Sequence, residues 1–143
     1  MPFPLAILLA LTIAFTNDYA DHYNAPIGIT LTPLVILSIT ALLHTGRHPR
    51  LLLPAAITTA LLVCLHDVGI KLYGGGMHDL EGQGVMTFFL FAGLLPAYVL
   101  QAWLVRRTKG ASPRQQRWAL LAGPLLVGCY LYFFGWIGLG KYY

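Results

Sequence analysis

The sequence predicts an all-α integral membrane protein: a bundle of five transmembrane helices, with the N-terminus cytoplasmic and the C-terminus outside. Three observations predict it. The chain of 143 residues is 57% hydrophobic, only 10% charged, and has a mean hydropathy of +0.69; soluble domains carry roughly 25% charged residues. Apolar runs approaching the roughly 20 residues that a bilayer span needs recur along the whole chain. The basic residues gather in two connections that such spans would place on one side.

The first span is assigned to residues 3–23. Its apolar core stops at Thr16, which is about 21 Å of helix at 1.5 Å per residue, too little to cross unless the helix runs on through NDYADHYN. A secretory signal has a core of similar length, but it needs a positively charged leader, and no Lys or Arg precedes this one. The second span, 27–43, is slightly short and free of charge. The third, 51–73, reaches full length when its helix continues through residues 66–73, and the glycine triplet 74–76 then stops it. The fourth and fifth, 85–105 and 118–138, are full length. Pro33, Pro54, Pro96 and Pro124 lie in or near spans, which membrane helices tolerate when neighbours satisfy the freed carbonyls. Gly123, Gly128, Gly135 and Gly138 permit close helix approach on the fifth span, without GxxxG spacing. Residues 1–143 form a single transmembrane domain.

Orientation comes from the connections. The stretch HTGRHPR carries Arg47 and Arg50, and RRTKGASPRQQR carries Arg106, Arg107, Lys109, Arg114 and Arg117. The positive-inside rule makes both cytoplasmic, in a chain expected in a bacterial cytoplasmic membrane. Trp103 and Trp118 then lie at the inner interface, Trp136 and the aromatic run YLYFFGWIGLGKYY near the outer one. The net charge of +4 is therefore a topology signal with secondary contact to anionic lipid, not a nucleic-acid surface. His44 and His48 read as headgroup contacts beside Gly46 and Pro49. Cys64 and Cys129 sit in apolar runs without CxxC spacing and read as buried free thiols.

The chemistry is concentrated at the opposite end. The stretch HDVGIKLYGGGMHDLEGQG follows the third span, and with this topology every acid in the chain faces outside: Asp18, Asp21, Asp67, Asp79 and Glu81, accompanied by His22, His66 and His78. On a continued first helix Asp18 and His22 are i, i+4 neighbours with Asp21 one turn from Asp18; on the third, Asp67 and Lys71 are an i, i+4 pair in the better order. Two helix ends and the loop 74–84 are thus expected to converge on an outward polar pocket.

Imidazoles with carboxylates suit zinc, iron or manganese, and carboxylates with loop carbonyls suit calcium or magnesium. The expectation is a divalent metal site, identity open, built from Asp18, Asp21, His22, His66, Asp67, His78, Asp79 and Glu81. It would serve as a regulatory site or as the centre of a membrane enzyme acting on lipid or envelope substrates, with Asp79 or Glu81 as base and Lys71 beside the oxyanion. One alternative is a structural network in which Asp67 pairs with Lys71 and the histidines bond to neighbouring backbone. Another is a non-catalytic subunit or oligomeric channel whose acidic loops contact a membrane protein partner or concentrate cations. A proton pathway is disfavoured by span centres without ionisable side chains apart from the cysteines. The stretch from Asp79 to Gly84 imitates an EF-hand opening, but Leu90 stands where the bidentate Glu belongs. GxSxG, HExxH and GxxxxGK[ST] are absent.

Overall fold

A computed structural model describes residues 1–24, 26–73 and 79–140. Among these the chain is helical without strands: α1 (Phe3–Tyr23), α2 (Ile27–His44), α3 (Leu52–Tyr73) entered through a 3-10 turn at Pro49–Leu51, α4 (Leu80–Arg107) and α5 (Pro113–Phe134). All five are long and apolar enough to cross a membrane. The glycine triplet 74–76 lies outside the described residues.

The ends have local causes. The first span does run on to Tyr23. Asp79 caps α4 by accepting from Gly82 N at 2.7 Å, which starts that helix five residues before the expected 85. Ser112 and Gln115 form a capping box that starts α5 at Pro113 instead of 118. The same helix stops at Phe134, short of 138, and the chain turns back through residues 135–140, where Gly138 (φ +88°) and Gly140 (φ +74°) adopt left-handed backbone.

One end of the bundle carries the basic connections. Arg47 closes α2 by donating from Nε to Leu43 O at 2.7 Å and from a terminal nitrogen to Leu42 O. Its other terminal nitrogen donates to Met1 O at 3.0 Å, and its guanidinium lies 5.3 Å from the Phe3 ring centroid. The N-terminus and the α2–α3 connection therefore share an end, and Arg47 is a structural clamp as well as a topology signal. His44 does not face headgroups. It is buried, with Nε2 3.3 Å from Thr59 Oγ1, because α2 extends one residue past the expected 43 and turns it toward α3. His48 accepts from Arg50 N at 3.3 Å and caps the short turn. Of the two free cysteines, Cys64 is half-buried, whereas Cys129 is exposed on the apolar exterior.

A ladder of small residues builds the core. Ala6, Ala10 and Ala14 repeat at i, i+4 on α1 and are buried against Val35, Ile39, Leu43 and Leu62. Asp18 continues the same ladder one turn further, with Asn17 and Asp21 beside it. Gly93 brings α4 onto α2, since a Cβ there would lie 2.8 Å from Pro33 Cα. Leu8, Phe15, Leu61, Phe88, Leu95 and Leu125 point outward, as a lipid-facing surface requires.

Candidate functional site

The small-residue ladder delivers Asp18 into the bundle, opposite α3. The Asp18 Oδ1 and His66 Nδ1 atoms are 2.6 Å apart, and His66 Nε2 is 3.3 Å from Thr32 Oγ1 on α2. His66 is fully buried, Thr32 nearly so, and the Asp18 side chain retains 11% exposure. Three helices thus place a carboxylate, an imidazole and a hydroxyl in line. Gly69 makes the approach possible, because a Cβ there would overlap the Asp18 carboxylate and lie 2.7 Å from its Cγ.

Hydrogen-bond accounting gives this line two complete states. Thr32 Oγ1 also stands 3.1 Å from Gly28 O, and a hydroxyl has one proton to donate. When Thr32 donates to Gly28, it accepts from a hydrogen on His66 Nε2, and a second hydrogen lies between Nδ1 and Asp18 Oδ1. When it donates to Nε2 instead, the imidazole is neutral with its proton on Nδ1 toward Asp18. Gly28 O keeps a donor in that state, since Asn17 Nδ2 lies 2.8 Å from it. Either placement of the hydroxyl hydrogen leaves each of these polar atoms with a partner.

A second network occupies the adjoining face of α3. Lys71, fully buried, donates to Asp67 Oδ2 at 2.7 Å and to Gly135 O at 2.9 Å. Tyr130 donates its hydroxyl to the same carboxylate oxygen at 2.6 Å. Gln83 Nε2 donates to Ile137 O at 3.2 Å, so α3 and α4 together hold the turns that follow α5. A Cβ on Gly138 would lie 2.6 Å from Lys71 O, which shows how tightly those turns cover α3.

The expected metal set is divided among these arrangements. Asp18 and His66 come together. Asp67 faces α5, one residue along the helix and turned about 100° from His66. Asp21, buried, accepts from Ile29 N at 3.2 Å and so meets the amide-rich start of α2. His22 is exposed with Nδ1 3.4 Å from Tyr73 O. Asp79 is a helix cap and Glu81 an exposed acid in the first turn of α4. His78 lies outside the described residues. Among the described residues no three His, Cys, Asp or Glu side chains gather as a metal-ligand set. His66 lies seven residues, or about 10 Å, below the end of α3, and residues 74–78 of the expected pocket lie outside the described residues.

Thr32, Tyr130 and Gln83 are the members that sequence reasoning missed. Thr32 sits in an uncharged span and Tyr130 in an aromatic run, where anchoring is the ordinary reading. Only tertiary packing identifies their partners. No family model, no curated protein and no solved structure matches this chain.

Proposed function

We propose that this multi-pass membrane protein is proton-coupled, and that His66 is its proton-binding group. The observation that carries the reading is the position of the Thr32 hydroxyl, 3.1 Å from Gly28 O and 3.3 Å from His66 Nε2. It gives the buried imidazole a hydrogen-bonded partner in both protonation states. Ionisable groups inside a bundle are costly and characteristically mark proton or ion pathways. Asp18, whose side chain keeps 11% exposure, is the route by which a proton reaches Nδ1. In this reading the cation handled is a proton; among the described residues no three His, Cys, Asp or Glu side chains gather as a metal-ligand set.

Proton uptake by the detergent-solubilised protein, followed with a pH-indicator dye, tests the reading together with nitrogen NMR of labelled histidine. Within the pH range over which the protein stays folded, wild type is expected to show, besides the exposed histidines, a buried imidazole passing from doubly to singly protonated, a signal absent from His66→Gln. Gly69→Ala, which displaces the Asp18 carboxylate, is expected to slow uptake by about tenfold or more while His66 remains. A His66 resonance that stays in one protonation state across that range would defeat the proposal.

The basic connections favour an orientation with the N-terminus cytoplasmic, in a bacterial cytoplasmic membrane, so that the proton site opens outward. In intact cells, Asp79→Cys is expected to react with an impermeant maleimide and Lys109→Cys only after lysis. The reverse pattern would invert the topology and turn the proton site toward the cytoplasm.

A further inference from the structure

Between α4 and α5, inward of the Asp18–His66 line, lies a cleft of about 410 Å³ walled largely by apolar side chains, among them Phe91, Leu95, Val127 and Leu131. From Phe91 to Gln101 it follows ten residues of α4, about 15 Å. Its size and apolar walls with few polar groups are those of a ligand site between bundle helices. The cleft exists because α5 presents glycine here. A Cβ on Gly128 would meet nothing within 4 Å, and one on Gly123 would meet only the Gln101 amide at 3.6 Å or more.

Three polar side chains reach the inner end of the cleft: Thr40, Thr59 and Gln101. Thr40 donates to Ile36 O at 2.8 Å, and Thr59 is engaged with His44. Gln101 Nε2 donates to Ala119 O at 2.9 Å, which fixes the amide and leaves Oε1 as the acceptor nearest Gly123. Among the described residues no acid or base lines the cleft, so the chemistry selects an uncharged occupant with an apolar chain and a hydrogen-bond donor at its end.

We propose that this cleft binds a long-chain lipid alcohol from the bilayer, its chain along α4 and α5 and its hydroxyl donating to Gln101 Oε1. A helix from a second copy does not fit. Even a slender one, about 10 Å across, would occupy about 1,200 Å³ over the same 15 Å, more than the roughly 1030 Å³ of empty space in the cleft even with its open mouth included. A single hydrocarbon chain does fit, and Leu95 and Tyr98, exposed at the rim, leave it a lateral entrance.

A hexadecanol analogue carrying a chain diazirine, photolysed with the full-length protein in detergent, tests this. Saturable labelling is expected on peptides of α4 and α5, with hexadecanol displacing it about tenfold better than hexadecane, the worth of roughly one hydrogen bond. Gly128→Phe, which fills empty space, should abolish that labelling while gel filtration still shows a monodisperse protein. Gln101→Leu should keep the labelling and erase the preference for alcohol over alkane. Labelling spread evenly over all five helices and unchanged by Gly128→Phe would overturn the site. Equal displacement by hexadecane and hexadecanol in wild type would overturn the assignment of the hydroxyl.

Discussion

Lys71→Met is expected to lower the unfolding free energy in detergent by about 3–5 kcal/mol, the usual result of stranding one member of a buried ion pair. Lys71 neutralises Asp67 where neither side chain reaches solvent, and it also holds Gly135 O. Its removal leaves the Asp67 carboxylate with the Tyr130 hydroxyl alone among the partners described above. It also frees the turns over α3, so proteolysis near residues 135–140 should rise in parallel. The double variant Asp67→Leu/Lys71→Met removes both charges and is expected to recover more than half of the loss. Equal instability in the single and double variants would show that the side chains matter through packing and not through charge compensation.

Gly28→Ala is expected to cost about 3 kcal/mol, at the upper end of the usual range for overpacking. Its new Cβ would overlap Asp21 Cβ and lie 2.8 Å from Asn17 O, so backbone as well as side chain must yield. Separating α1 from α2 there breaks the Asn17–Gly28 bond and the Asp21–Ile29 bond together. Gly84→Ala is the control. A Cβ at Gly84 meets nothing within 4 Å, and alanine in an exposed helical position is expected to stabilise by about 0.5–1 kcal/mol. Thermal unfolding of both variants in the same detergent makes the comparison. A Gly28→Ala protein as stable as wild type would mean that the α1–α2 contact is loose.

Much of the architecture is legible from residue order. Composition demands a bilayer, and the apolar runs count five spans, because hydrophobicity acts locally and each helix satisfies its own backbone. The i, i+4 spacing of Asp67 and Lys71 anticipates their pair, which the structure forms at 2.7 Å. The alanine ladder on α1 carries the position of Asp18 in the same way. The helices start at Leu80 and Pro113, ahead of the apolar runs, because Asp79 and Ser112 cap first turns whose polar composition reads as loop.

The sequence by itself determined the solvent, the number of helices and the placement of the acids at the end opposite the arginine-rich connections. Those properties sum over short stretches of chain and need no knowledge of neighbours. Only the tertiary structure decided which polar groups meet. Residues 18, 32 and 66 belong to three helices, and the rotation of each helix about its axis is set by packing at Gly69, Gly28 and Gly93. A turn of about 100° separates His66, facing a carboxylate and a threonine, from Asp67, facing a lysine and a tyrosine. That rotation divided an expected cluster of ligands into an Asp18–His66–Thr32 line and an Asp67–Lys71 ion pair. It does not follow from composition or spacing, because each helix alone would present these side chains equally well to any neighbour.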